Sequence, residues 1–372
     1  MKYCSRCVLP DSRPSLVIES DGICNACHSH HSRPSIDWEA RAQWFRDVAG
    51  NARARSRGYD CLIPVSGGKD STWQVLKCLE HGLNPLAVTW KTPARTPIGQ
   101  QNLDNLVRLG VDHIDYQINP NVESRFMLHA YERLGSTAIP MHMALFSIPL
   151  TIAVRYRIPL VVWGENSAFE YGGTAEERTG FSLDSKWLRK FGVTHGTTVA
   201  DWASPELSEK ALTPYAGPTD RELEEAGVNA VFLGYYFAWD PDATYRTAAE
   251  HGFRGCAAGV KTGYYDFADI DDDFISIHHY LKWYKFGFTR LFDNLSLEIR
   301  NGRLGREEAI EIIRRTGRQE PREDIEKFCA FSGIDSERFF AIAETFRNPG
   351  VWKRESGRWV VPDFLIPDWE WQ

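Results

Sequence analysis

The sequence contains no run of 18 or more apolar residues, and its opening MKYCSRCVLP has no apolar stretch of the kind a secretory signal needs. Neither a membrane span nor an export signal is expected, and the reading is of a cytoplasmic protein with no membrane partner. An excess of basic charge is also missing. Against 50 Asp+Glu stand 43 Lys+Arg, a net charge of −7, which argues against a general nucleic-acid coat. There is no internal repeat, no low-complexity tract and no long block of one charge sign. Two common nucleotide signatures are absent as well, the Walker loop GxxxxGKS/T and the dinucleotide fingerprint GxGxxG. Core-forming residues, by contrast, are plentiful. Of 372 residues 43% are hydrophobic and 13% aromatic, including 13 Trp, enough for a large core in two or three domains.

Four of the eight cysteines lie in the first 35 residues, a segment rich in turn residues and without helical periodicity. Cys4-x-x-Cys7 and Cys24-x-x-Cys27 have the spacing of a four-cysteine zinc ribbon. Each pair sets two thiolates on one side of a tight turn, and two pairs close a tetrahedral S4 shell with no open position, the mark of a structural Zn2+ site. An iron–sulfur cluster suits the same four ligands, and buried or redox-active thiols are the third reading. His28, His30 and His31 adjoin the last pair and are read as solvated or supporting groups.

A helix is expected from Ile36 to about Val48, then a loop over Gly50–Gly58. Beyond it short apolar runs alternate with amphipathic ones. Strands are expected at Cys61–Val65, Leu86–Trp90, His113–Ile118, Pro159–Trp163 and Ala230–Phe237. Helices are expected at Lys69–Glu80, Gly99–Leu109, Val122–Leu134, Met141–Tyr156 and Asp242–His251. This alternation predicts an α/β fold with a parallel sheet covered on both faces and ligands beyond the strands' carboxyl ends. Residues 165–218 read as a long irregular segment with one short helix near Leu183–Phe191. The region after Ser276 reads as mainly helical. The expected units are a ribbon at 1–35, an α/β domain at 36–240 and a helical C-terminal region at 241–372.

The sharpest chemical signal is Ser66-Gly67-Gly68-Lys69-Asp70-Ser71, between a strand and a helix. Its glycines let backbone approach an anion, and the helix start points N–H groups at it. SGGKDS resembles the signature of the ATP pyrophosphatase (PP-loop) superfamily, whose HUP-like parallel-sheet domain splits ATP between the α- and β-phosphates. The resemblance implies that Ser66, Gly67, Gly68, Asp70 and Ser71 bind the β- and γ-phosphates, with Lys69 adding charge, and that Val88 and Thr89 on the second strand border adenine. It also implies Mg2+ with the ATP. Cys61 and Cys78 flank the loop and read as core residues.

Three further stretches narrow the likeness. Trp163-Gly164-Glu165-Asn166 with Glu170-Tyr171-Gly172-Gly173, the run Tyr280-Leu281-Lys282-Trp283-Tyr284-Lys285-Phe286-Gly287-Phe288-Thr289-Arg290, and the opening Tyr3-Cys4-Ser5-Arg6-Cys7-Val8-Leu9-Pro10 resemble the N-acetyl sugar amidotransferases. That family acts in lipopolysaccharide and flagellin-sugar synthesis and includes the pseudaminic acid amidotransferase. The resemblance implies a nucleotide-linked N-acetyl sugar as substrate, its acetamido group becoming acetamidino. It also implies a separate glutamine amidotransferase as ammonia donor. Glu165, Asn166, Lys285 and Arg290 are then the catalytic candidates; Glu165, Asn166, Glu170, Tyr171 and Lys282 are those for substrate binding. Lys282 and Lys285, three apart on one helix, would meet phosphates of ATP or of the sugar carrier, or form a solvated basic face. Asp269, Asp271, Asp272 and Asp273 would hold Mg2+ or cap the next helix. Two other readings compete: a tRNA 2-thiolation enzyme and a non-catalytic zinc-ribbon regulator that binds nucleotide. The acidic balance speaks against nucleic acid as a partner.

Overall fold

A computed structural model describes residues 1–164 and 194–371. The N-terminal segment carries α1 (Asn25–His31) and α2 (Trp38–Arg55), the latter capped by the Asp37 carboxylate accepting from Ala40 N–H. The central unit then alternates as β1 (Cys61–Pro64), α3 (Lys69–Glu80), β2 (Pro85–Trp90), α4 (Pro97–Val107), β3 (Asp112–Tyr116), α5 (Pro120–Leu134), α6 (Ile139–Tyr156) and β4 (Leu160–Trp163). After α7 (Asp220–Ala226) comes β5 (Asn229–Phe232). All five strands are parallel in the order β3-β2-β1-β4-β5. β1, β2 and β4 are buried along their whole length, as apolar central strands covered on both faces must be. β3, with its acids Asp112 and Asp115, is the exposed edge.

One face of the sheet packs on a core that includes Phe45, Ala49 and Ala52 of α2 with Trp73, Val75 and Cys78 of α3. The other packs on α5, α6 and helices of the C-terminal region. That region comprises α8 (Pro241–Glu250), α9 (Asp273–Phe286), α10 (Arg290–Arg300), α11 (Arg306–Thr316), α12 (Arg322–Ser332) and α13 (Ser336–Thr345). It ends in a small antiparallel pair, β6 (Lys353–Glu355) and β7 (Arg358–Val360). A third core joins all four N-terminal cysteines to Trp283, Phe288, Leu291, Phe292 and Trp352. The cysteine segment is thus built into the C-terminal region.

Two sequence expectations need correction. The stretch Gly50–Gly58, expected as a loop, continues α2 as far as Arg55. Ala52 is buried against the sheet, while Arg53 donates to His81 O and Arg55 to Gly227 O, so packing and charge contacts outweigh the helix cost of Gly50. The run Ala230–Phe237 is a strand only to Phe232; Leu233–Tyr236 form one helical turn. The short helix expected at Leu183–Phe191 lies outside the described residues. By length and composition α6 resembles a membrane span, with a mean hydropathy of 1.2 over 18 residues, yet 56% of it is buried in the protein.

One buried acid shapes stability. Glu123 on α5 is 2% exposed and accepts one hydrogen bond from Trp90 Nε1–H at 2.8 Å. Burial pushes its carboxyl up to about 8. A carboxyl raised in the folded state stabilises the fold below its ordinary value near 4.5 and loses that contribution as pH climbs toward 8. Stability should therefore fall by up to about 1.4 kcal/mol per pH unit across that window. Glu123→Gln, which keeps an acceptor for Trp90, should flatten the decline; thermal melts of both proteins from pH 5 to pH 9 check it, and parallel curves would contradict it.

Candidate functional site

The glycine loop leaves β1 and enters α3. Gly67 has φ +90°, and a Cβ there would stand 2.7 Å from the Leu103 backbone nitrogen on α4, so only glycine fits. Gly68 is the N-cap of α3 and no side chain caps the helix. Its first N–H groups, at the positive end of the helix dipole, are left for an anion. Ser66 N–H donates to Ser71 Oγ (3.0 Å), and Gly68 N–H to Ser66 Oγ (3.3 Å), which fixes the curl of the loop. Lys69 is buried and bonds Asp70 Oδ2 at 2.5 Å. The other Asp70 oxygen accepts from Trp239 Nε1–H at 2.8 Å and Thr244 Oγ1–H at 3.3 Å.

Facing this loop is the segment just before α9. Thr96 N–H donates to Asp271 O, Thr96 Oγ1–H to Ile270 O, and Asp273 N–H to Ala94 O. These bonds stitch the acidic run onto the chain that leaves β2, at the carboxyl end of the sheet. At Gly99 a Cβ would stand 2.7 Å from Asp271 Cα, so a second glycine permits the approach. Asp269 has φ +56°. Its Oδ2 accepts from Arg290 Nε–H at 3.0 Å, and its Oδ1 lies 3.4 Å from His279 Nε2. Burial opposes ionisation of Asp269, but Arg290 and His279 hold its carboxyl well below the usual range. Asp271 is raised by burial, with a compensating hydrogen bond from Ser66. A cavity of about 210 Å3 lies between the two segments, its walls including Ser66, Lys69, Asp70, Asp269, Asp271 and Arg290.

The other expected residues are placed differently. The Val88 side chain is in the core, its carbonyl accepting from Val65 N–H, and Thr89 Oγ1 pairs with His113 Nε2 at 2.8 Å; neither lines the cavity. Lys282 is bonded to Asp293 Oδ2 at 3.0 Å, and Lys285 lies one turn further along α9. Asp272 caps α9 by accepting from Phe274 N–H, burial raising it to about 7. Asp273 is engaged by Lys261 and Lys327. Glu165, Asn166, Glu170 and Tyr171 lie outside the described residues. Sequence reasoning missed Trp239, Asn294, His278 and His279. The two histidines precede the noted lysines on the same helix, and the spacing His278, Lys282, Lys285 was there to be read as one face.

Among the described residues only Cys4, Cys7, Cys24 and Cys27 bring three or more metal-binding atoms together, all within 4.8 Å of one another. Cys7 Sγ and Cys24 Sγ are 3.8 Å apart, and Cys4 Sγ and Cys27 Sγ 4.0 Å. A tetrahedral ion with ~2.3 Å metal–sulfur bonds requires ~3.8 Å between sulfurs, so the four thiols fit Zn2+. His28 stands instead beside Asp21, at 3.0 Å.

Comparison with known proteins bears on the cavity's second wall. Residues 259–364 match the family described as LPS biosynthesis protein WbpG-like, C-terminal domain; Asp269, Asp271 and Arg290 fall within that stretch. No curated protein matches the sequence. Among solved structures, an NMN synthetase from Francisella tularensis is similar at 15% identity over 52% of this chain and 82% of its own, with a TM-score of 0.26.

Because the cysteines share a core with Trp283 and Phe292, losing the ion should be felt beyond the first 35 residues. Metal analysis is expected to find zinc in the purified protein and none in Cys24→Ser. That variant should also show a red-shifted tryptophan emission and a melting temperature lower by several degrees. Unchanged zinc and melting in Cys24→Ser would contradict the site.

Proposed function

We propose that this chain is an ATP-dependent, AMP-forming amidotransferase of the PP-loop type. It converts the acetamido group of a nucleotide-linked sugar to an acetamidino group, in lipopolysaccharide or flagellin-glycan synthesis. The observation that carries the reading is the meeting, across one cavity, of the SGGKDS loop with Arg290, Asp269 and Asp271. The second wall lies in the segment similar to the WbpG-like family.

An acetamide is a poor electrophile because its carbonyl is resonance-stabilised, so replacing its oxygen requires a leaving group. In the proposed reaction the acetamido oxygen attacks the α-phosphorus of ATP and pyrophosphate departs. Ammonia then adds to the imidate carbon, and the carbon–oxygen bond breaks to release AMP with the former acetamido oxygen. The uncapped start of α3, Ser66 and Ser71 would hold the departing pyrophosphate, and Arg290 would offset charge as it develops. Asp269 would act as a positioning residue, fixing the Arg290 guanidinium from behind. Mg2+ bound with ATP would screen the phosphate charges; Asp271, whose carboxyl is hydrogen-bonded by Ser66 of the loop, would be the carboxylate to hold it. Ammonia would come from a separate glutamine amidotransferase. The four-cysteine ion would be structural.

The deciding experiment combines the protein with ATP, Mg2+, ammonium and a panel of UDP- and CMP-linked acetamido sugars. A product in which NH replaces one oxygen, formed with AMP and pyrophosphate in equal amounts, is expected by mass spectrometry. ATP cleavage that requires tRNA and leaves every sugar unchanged would replace this reading with RNA modification. Ser66→Ala combined with Asp70→Asn should keep its zinc and lose turnover by about 100-fold or more; undiminished turnover would take the loop out of the reaction.

A further inference from the structure

His278, Lys282 and Lys285 occupy positions i, i+4 and i+7 of α9 and so share one face. Facing them is His142 of α6, whose ring centroid is 5.9 Å from that of His278; the His278 and His279 centroids are 5.3 Å apart. His195 feels the Lys285 charge. The group adjoins the phosphate cavity through His279, which touches the Asp269–Arg290 pair. On its other side His142 also lines a second cavity of about 400 Å3, bounded by Phe146, Leu150, Thr194 and Tyr215.

Asp293 is shared between Lys282 and Arg13, and Asp269 between Arg290 and His279. Lys285, on the same helix face, has no carboxylate partner among the described residues. Among the described residues its ammonium meets the Phe286 ring at 5.7 Å, and the Nδ1 atom of His278 has no hydrogen-bond partner, while His279 is held by Asp269. A half-buried ammonium with no counter-charge beside it, and a buried imidazole nitrogen left unpaired, are costly in a folded protein unless something arrives to pair with them. Burial and the neighbouring Lys282 lower Lys285 to about 8, and burial lowers His142 to about 4, the shifts expected of bases short of an anion.

We propose that the His278–Lys282–Lys285 face of α9, with His142 opposite, seats an oxyanion carried by the sugar substrate: a carboxylate on the sugar or the phosphate that links it to a nucleotide. Only the identity of the ligand as a sugar rests on the function proposed above; the need for an anion rests on the unpaired bases. An anion held there would lie between the two cavities. The phosphate loop would then meet the sugar's acetamido group from one side while the anion fixed the other end.

The test is calorimetric titration of the full chain with three compounds. These are N-acetylneuraminate, with a carboxylate and no phosphate; UDP-N-acetylglucosamine, with phosphates and no carboxylate; and N-acetylglucosamine, with neither. At least one anionic compound is expected to bind and the neutral sugar not, and which one binds names the anion. Lys285→Gln should weaken that binding by about tenfold or more, Lys285→Arg should recover most of it, and melting temperatures check folding. Should Lys285→Gln fail to fold, His278→Gln takes its place with the same expectation of weakening. The proposal is overturned if the anionic compounds bind no better than the neutral sugar, or if the variant's affinity stays within about twofold of the parent's. It is equally overturned if the variant loses affinity for ATP alone. Pyrophosphate release is followed separately on the parent protein, and its absence would count against the adenylation chemistry while the anion titration stands on its own result.

Discussion

The arrangement of the site depends on one buried carboxylate. Asp293 is fully buried and bonded at 2.8 Å to Arg13 of the cysteine segment and at 3.0 Å to Lys282 of α9. Burial opposes its ionisation, yet Lys282 and Arg13 hold it well below the usual range. Removing one partner of such a cluster strands a charge in the interior, at a cost of about 3–5 kcal/mol. Asp293 sits less than one turn after Arg290 on α10. The tie that locks α10 to α9 and to the cysteine segment therefore also fixes the direction in which Arg290 leaves the helix. Ser12 Oγ–H bonding to Phe286 O and Arg306 Nε–H to Cys7 O repeat the attachment at its edges.

This explains why a closed four-cysteine site stands so far in sequence from the cavity it serves. A short segment with few apolar residues cannot hold Arg13 in place by itself. With the thiols gathered, Leu9 and Leu16 join Phe288, Phe292 and Leu295 in one core, and Arg13 is delivered to Asp293 as a rigid group. The chain from Met1 to Arg13 and the chain from Lys282 to Arg306 thus form one body, and the sheet presents the glycine loop to it.

What could be read from sequence follows what is local. The strand Cys61–Pro64, the helix Lys69–Glu80 and the loop between them are set by periodicity and two glycines, and they are found where expected. The end of α2 was not legible, because Gly50 and the arginines after it signal a loop unless one knows that Arg53 and Arg55 find carbonyls at His81 and Gly227. Nor was the division of the acids at 269–273. Read along the chain they form one cluster suited to a cation. In space the left-handed turn at Asp269 and the start of α9 send them apart, to Arg290, to Ser66, to the helix cap, and to Lys261 and Lys327. Histidines 278 and 279 went unnoticed because two adjacent histidines carry no motif; their meaning comes from His142, more than a hundred residues away.

The division of the acids also sets what the cavity can hold. Had all four faced the glycine loop, they would oppose any anion placed at the uncapped start of α3. Two of them are used up elsewhere, Asp272 as a cap and Asp273 on lysines, and Asp269 is neutralised by Arg290 and His279. Asp271 faces the loop through its hydrogen bond with Ser66, with the Arg95 charge a lesser influence, and burial disfavours its charge. The electrostatics of the pocket are therefore set by the start of α3 and by Arg290. A chain that is acidic as a whole, at −7, thereby keeps Arg290, Lys69 and the start of α3 on one cavity, which net charge by itself would never reveal.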